Sequence, residues 1–151
     1  MIMSLGGRLL MLEANDLHKQ YFDVNFSDKY NILLSNSASG KTYLRKLLEM
    51  YCYSNNISLF QIDYASNLKA VYASLESISE DENTVIFVDN GDIVLSRELE
   101  LAIVKTKAKT KIFVIHNIFN ISVLQYLKPG LYKLVTGNNG VCICSKRIGE
   151  L

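Results

Sequence analysis

The sequence predicts an α/β protein whose sheet is largely parallel. Apolar runs of strand length alternate with helical periodicity almost throughout the chain. Two runs, residues 85–88 and 111–115, are nearly continuous in apolar residues, as expected for strands that are covered on both faces. A chain of 151 residues with 49% hydrophobic content is long enough for one core and short for two. We therefore expect a single domain over residues 1–151.

In the first half of the chain, residues 30–34 and 57–62 predict strands. A helix is predicted after each, because apolar residues recur three and four positions apart. The first stripe comprises Leu44, Leu47, Leu48, Tyr51 and Cys52, and the second comprises Leu68, Val71, Tyr72, Leu75 and Ile78.

In the second half, the strand at 85–88 ends at Asp89 and a helix begins at Ser96, a typical N-cap residue. The strand at 111–115 ends at His116 and Asn117. Residues 118–127 predict a short helix that stops at the following Pro-Gly pair. Residues 131–136 and 141–145 predict a C-terminal β-hairpin around the turn at 137–140. Weaker strand patterns occur at 9–14 and 21–26.

Charge and cysteine content narrow the function classes. Sixteen basic residues oppose 15 acidic ones, so no global field would draw the chain to nucleic acid or to an anionic membrane. Three cysteines without a CxxC spacing argue against a disulfide framework or a zinc site. Cys142 and Cys144 are best interpreted as small buried residues on one face of a strand.

The chain shows neither a signal peptide nor an apolar stretch long enough to cross a membrane. We expect a soluble cytoplasmic protein without membrane insertion. Translation could begin at Met1, Met3 or Met11, and a start at Met11 would make residues 1–10 a loose extension.

The string SNSASGKT, residues 35–42, indicates a phosphate-binding loop between a strand and a helix. Small residues allow successive backbone N–H groups to surround phosphate oxygens, and the helix N-terminus adds its dipole. The predicted nucleotide-binding residues of this loop are Ser35, Asn36, Ser37, Ala38, Ser39, Gly40, Lys41 and Thr42. The Lys41 ammonium would reach the β- and γ-phosphates.

A magnesium site is predicted beside the loop. The Thr42 hydroxyl would ligate Mg²⁺, and the Asp89 carboxylate would hold the ion through water from the end of a neighbouring strand. ATP and Mg²⁺ are therefore the expected cofactors.

These residues resemble a P-loop ATPase of the additional-strand type, the group that holds ABC, AAA+ and RecA-like ATPases. The resemblance implies a three-layer P-loop fold in which a further strand lies between the P-loop strand and the Walker B strand. Residues 111–115 would be that strand. His116 is similar to the switch histidine of ABC ATPases, and Asn117 is similar to the sensor asparagine of AAA+ proteins. The resemblance thus implies catalytic roles for Lys41, Asp89 and His116.

The run of residues 11–48 is similar to the opening of an ABC nucleotide-binding domain, in which an aromatic residue stacks on adenine. Tyr21 or Phe22 would be that residue. No LSGGQ-like signature occurs in the sequence, and the 48 positions between Lys41 and Asp89 leave no room for the ABC helical subdomain (89 − 41 = 48). We expect no AAA+ lid.

Two departures from the family pattern concern hydrolysis. Ser35 replaces the first loop glycine, which is a mild change only if the backbone there avoids positive φ. Asn90 occupies the position of the catalytic glutamate, and an amide cannot take a proton from the attacking water.

Three functions follow from these observations. The first is an ATP-binding protein whose hydrolysis is weak or is completed by a protein partner or a second copy. The second is a non-catalytic adaptor built on a degenerate P-loop fold. The third is a nucleic-acid-linked ATPase, suggested only by the four alternating lysines between residues 105 and 111. We interpret those lysines as a solvated loop at the end of the sheet opposite the nucleotide.

Overall fold

The computed structural model describes residues 2–5, 8–11, 21–35, 41–136 and 142–151. In these ranges the chain is an α/β protein with one mixed, mostly parallel sheet. The strands are β1 (Ile2–Leu5), β2 (Arg8–Met11), β3 (Tyr21–Phe26), β4 (Tyr30–Leu34), β5 (Ser58–Ile62), β6 (Thr84–Val88), β7 (Thr110–Ile115), β8 (Gly130–Thr136) and β9 (Cys142–Glu150). The helices are α1 (Lys41–Ser54), α2 (Leu68–Ser77), α3 (Gly91–Val94) and α4 (Arg97–Val104).

The strand order is β2-β1-β3-β9-β8-β4-β7-β6-β5. Strands β8, β4, β7, β6 and β5 are parallel to one another, and so are β1, β3 and β9. The antiparallel pairs are β8 with β9 and β1 with β2. Strand β7 lies between β4 and β6, which confirms the position predicted for residues 111–115. The C-terminal antiparallel pair is confirmed as well, while its turn at 137–140 lies outside the described residues.

The central strands of the parallel sheet place alternate side chains in two cores, one on each face of the sheet. Helices cover both faces. On one face, Leu44 and Leu48 of α1 pack with Val85 and Val114. On the other, helices α2 and α4 pack against residues such as Ile86 and Ile115. No helix in the described part of the chain is long and apolar enough to cross a membrane.

The predicted start of α4 is confirmed by its capping geometry. Ser96 is the N-cap, and its hydroxyl accepts the backbone N–H of Leu99 at 3.1 Å. Asn67 caps α2 in the same way by accepting the N–H of Ala70 at 3.1 Å. Both caps satisfy donors that have no partner within the helix.

The helix predicted over residues 118–127 is wrong. The segment instead forms two 3₁₀ turns, Ile118–Asn120 and Leu124–Leu127. The reason is the carboxylate of Glu100, which is 1% exposed and accepts the backbone N–H groups of residues 122–124 at 3.0–3.1 Å. Those N–H groups therefore donate to a buried side chain instead of forming the hydrogen bonds of a continuous helix.

The N-terminal strands are confirmed in part. Residues 9–11 fall within β2 and residues 21–26 form β3, while 12–14 lie outside the described residues. Residues 2–5 and 8–11 are not a loose extension, since β1 pairs with both β2 and β3.

The lysine run does not form one solvated surface. Lys105, Lys107 and Lys109 are exposed, and the Lys107 ammonium lies 2.5 Å from the carboxylate of Glu80. Lys111 is fully buried, and its Nζ donates to the carbonyl oxygen of Thr106 at 2.7 Å. In the segment between α4 and β7, buried and exposed residues alternate as in a strand. Residues 106, 108 and 110 are buried, and the lysines between them are exposed. This arrangement weakens the nucleic-acid interpretation of the run.

Lys111 is expected to make stability depend on pH. Burial, with the charge of Lys29 nearby, lowers the pKa of Lys111 from 10.5 to about 8. Between these values the unfolded chain binds more protons than the folded chain, so the free energy of unfolding should rise with pH. We expect a gain on the order of 1–3 kcal/mol across this window. Urea unfolding of the parent from pH 7 to 10.5 measures it.

Two variants isolate the contribution of Lys111. Lys111→Met should flatten the rise, whereas Lys109→Met, at an exposed neighbouring lysine, should leave it unchanged. An equally steep rise in Lys111→Met would contradict the assignment.

Candidate nucleotide-binding site

Three of the predicted site residues, Ser35, Asp89 and His116, lie at one edge of the sheet. Strands β4, β7 and β6 are parallel neighbours, so their carboxyl ends share an edge. The pairing aligns Leu34 with Ile115 and Val88 with Phe113. Because neighbouring strands lie about 4.8 Å apart, the ends of β4 and β6 are separated by about 10 Å. The edge therefore holds the start of the loop, Asp89 and His116.

Ser35 continues the pairing of β4 for one residue. It is 5% exposed, and its backbone N–H donates to the carbonyl oxygen of Ile115 at 3.1 Å. Positive φ occurs at Asn56, Asn90 and Lys128 among the described non-glycine residues, and Ser35 is not one of them. Serine at this position therefore requires no left-handed backbone, which is the condition under which the predicted loop would tolerate serine in place of glycine.

The predicted phosphate-binding loop directly precedes α1 in the sequence. Residues 36–40, which hold Asn36, Ser37, Ala38, Ser39 and Gly40, lie outside the described residues, as do the side chains of Lys41 and Thr42. Helix α1 begins at Lys41, directly after the loop, and has no acidic residue in its first turn. A lysine at a helix N-terminus opposes the dipole, whereas the unneutralised terminus favours a bound anion.

Asp89 lies on the α1 side of the sheet by strand alternation. Val85 and Phe87 pack in the core beneath α1, and Asp89 is the next residue in that alternation. The Asp89 N–H donates to the carbonyl oxygen of Ile62 at 2.8 Å, so the backbone is still paired with β5. The partly exposed carboxylate accepts the Asn90 N–H at 2.8 Å.

The tip of β7 is held by a residue that the sequence did not single out. One carboxylate oxygen of Asp92 accepts the backbone N–H of His116 at 2.6 Å. The other accepts the N–H of Asn117 and the Asn120 side-chain amide, each at 3.0 Å. His116 and Asn117 are exposed. By alternation from Val114, His116 falls on the α1 side of the sheet and Asn117 on the other.

The hydrogen bonds to Asp92 also affect its acidity. Partial burial acts to raise the pKa of Asp92, but the bonds from His116, Asn120 and Asn117 outweigh that effect. The pKa therefore lies below its ordinary value, and the carboxylate is charged at neutral pH.

Asn90 and Gly91 give the segment after β6 its shape. Asn90 is left-handed, with φ 53° and ψ 45°, a conformation that asparagine tolerates better than most residues. A Cβ on Gly91 would meet the Ile115 methyl at 2.4 Å and the Val114 carbonyl oxygen at 3.0 Å. Glycine thus allows α3 to lie against β7, which brings Asp92 to the strand tip. The Asn-Gly pair was the available sequence signal for this tight turn.

Tyr21 lies at the same edge of the sheet, several strands away. It pairs with Cys142 of β9, and neighbouring Ile143 pairs with Thr136 of β8. Since Leu34 is level with Lys133 of β8, Tyr21 lies beyond the end of β4. Its side chain is outside the described residues, so stacking on a base stays a prediction.

No protein-family model matches the chain, and a search of curated proteins found no significant match.

In the part of the chain that the structure describes, no group of three or more His, Cys, Asp or Glu residues could hold a metal ion. A magnesium–nucleotide site does not require such a group. Mg²⁺ keeps several waters and is bound by one or two protein oxygens together with the substrate phosphates. One carboxylate at Asp89 and one hydroxyl at Thr42 fit that donor set.

Proposed function

We propose that this chain is a small ATP-binding protein of the P-loop class, with magnesium-dependent binding and weak or partner-dependent hydrolysis. The observation that carries the proposal is the strand order β8-β4-β7-β6-β5. Strand β7 lies between the strand that precedes the Gly-Lys-Thr loop and the strand that ends before Asp89, and His116 follows β7. The order therefore supports a common site for the loop, Asp89 and His116. A strand in that place, between the P-loop strand and the Walker B strand, is expected for a P-loop ATPase of the additional-strand type.

The residues of the edge would divide the work by their chemistry. The loop and the N-terminus of α1 would bind the phosphates, and Lys41 would contact the β- and γ-phosphates. Thr42 and Asp89 would hold Mg²⁺, which when bound neutralises phosphate charge. His116 would face the γ-phosphate. Tyr21 would supply the base platform.

The weak hydrolysis in the proposal rests on Asn90. Its amide lacks the basic oxygen that a general base needs, and the left-handed backbone suits asparagine. A protein partner or a second copy would then have to supply what the isolated chain lacks. A reducing compartment such as the cytoplasm agrees with the buried free thiol of Cys52, whose pKa burial raises to about 12.

Calorimetric titration with ATP·Mg²⁺, ADP and GTP, beside a phosphate-release assay, tests the proposal. Saturable binding of one nucleotide per chain with slow phosphate release is the expected result. Absence of binding by all three would overturn the proposal and favour the adaptor interpretation.

Asp89→Asn is expected to weaken magnesium-dependent binding selectively. The carboxylate should act on the metal and not on the phosphates, so ATP affinity should fall with Mg²⁺ present and change little in EDTA. We expect a loss of about tenfold or more with the metal. Asp63→Asn is the matched control, because Asp63 directly follows β5 at the same edge of the sheet. An equal loss with and without Mg²⁺ would place Asp89 elsewhere in the site.

A further inference from the structure

The segment that follows Asp89 is bonded directly to the tip of β7. Asp92 lies in α3, three residues after Asp89, and its carboxylate accepts both backbone N–H groups at the end of β7. A β-strand that ends without a partner leaves such donors to water, and here a charged acceptor takes them at 2.6 and 3.0 Å.

Three further features fix this connection from both sides. The Asn120 amide donates to the same carboxylate oxygen as the Asn117 N–H, so the turn after β7 is included. Gly91 permits the close approach of α3 to β7, since any Cβ there would overlap Ile115. The left-handed backbone of Asn90 turns the chain from β6 into α3.

We propose that Asp92 is a positioning residue that ties the β7 tip, with His116, to the segment carrying Asp89. This inference rests on the proposed function and deepens it. Asp89 would lie on the metal side of the phosphates and His116 on the γ-phosphate side. The Asp92 carboxylate keeps the two at a fixed separation, so the site distinguishes ATP from ADP. Asp92 itself touches neither nucleotide nor metal.

Asp92→Asn is the central test, because it keeps the side-chain shape and replaces one acceptor oxygen with an amide donor. In the nucleotide-free protein, the His116 and Asn117 amides should exchange with solvent about tenfold faster or more. The ratio of ADP to ATP dissociation constants should fall about tenfold, while ADP binding changes less than about threefold. If Asp92 had a merely structural role, its substitution would weaken the binding of ATP and of ADP to the same extent.

A double-mutant cycle links the effect to His116. His116→Ala should lower the same ratio, and Asp92→Asn combined with His116→Ala should lower it no further. The control is Asp81→Asn, at an exposed carboxylate that accepts the Asn83 N–H at 2.9 Å before β6. It should leave both amide exchange and the ratio unchanged.

A second variant keeps the test decisive if Asp92→Asn does not fold. Asn120→Ala removes one donor at an exposed position and should change the ratio in the same direction by a smaller factor. If the parent binds ATP but the variants leave the ratio unchanged, or if the losses in the cycle are additive, the role of Asp92 is overturned. The proposed function would then still stand. A parent that binds no nucleotide would overturn both the proposed function and this coupling. Amide exchange would still show whether Asp92 accepts the N–H groups of His116 and Asn117.

Discussion

Replacing Lys41 with alanine should reduce ATP affinity by about 100-fold or more while leaving the fold intact. The ammonium would contact the β- and γ-phosphates through charge-assisted hydrogen bonds. Lys41 is the first residue of α1, and Leu44 is the first core residue of that helix among the side chains that the structure describes. We therefore expect the substitution to remove no core contact. Calorimetric titration with ATP·Mg²⁺ measures the affinity, and thermal unfolding measures the fold.

Lys46→Ala is the matched control for this substitution. Lys46 is an exposed lysine on the same helix, about one turn further from the loop. Its substitution removes the same charge at a position that would not contact the phosphates. Its ATP affinity should stay within about twofold of the parent, as expected for an exposed charge at that distance. Parent-like ATP binding by Lys41→Ala would rule out the P-loop interpretation of residues 35–42.

Replacing Asn90 with glutamate should raise phosphate release by about tenfold or more, because a positioned general base contributes 10²–10⁴-fold. The gain should stay below the upper limit, since Asn90 is left-handed and a glutamate there is strained. The same strain should lower the free energy of unfolding by about 1 kcal/mol. Single-turnover phosphate release and urea unfolding measure the two effects.

Asn90→Gln separates the carboxylate from the strain. It has the same length and similar backbone preferences but no basic oxygen, so it should be destabilised like Asn90→Glu and hydrolyse at the parent rate. The opposite result is also informative. A parent turnover near about 1 per second that is lost in Asn90→Ala would mean that the amide orients the attacking water.

Sequence reasoning predicted the parallel core well because its signal is carried locally. Continuous apolar runs such as 85–88 belong to strands buried on both faces, and the cap at Ser96 is read from neighbouring residues. The helix predicted at 118–127 failed for a non-local reason. Its backbone donors are taken by Glu100, a residue some twenty positions earlier that reads as an ordinary acidic residue in a first helical turn.

The candidate site shows the same division. The loop and Asp89 could be proposed from the sequence because a motif and a strand end mark them. Asp92 was not, because its role depends on the distance between α3 and β7, which Gly91 sets and no spacing in the sequence reports. Lys111 is similar, since only the packing of the end of α4 distinguishes it from the exposed lysines before it.

The pairing of β3 has a consequence for the order in which parts of the chain fold. In the sheet, β3 is hydrogen-bonded to β1 and to β9, and β9 is the last of the described strands along the sequence. Strands β4 to β8 can pair with one another without β9, whereas β1 to β3 join them through Cys142–Glu150, a contact between distant parts of the chain. Closing so long a loop is entropically costly and slow. The N-terminal strands should therefore become protected last in pulse-labelled hydrogen exchange, and until then they expose strand edges that invite association between chains.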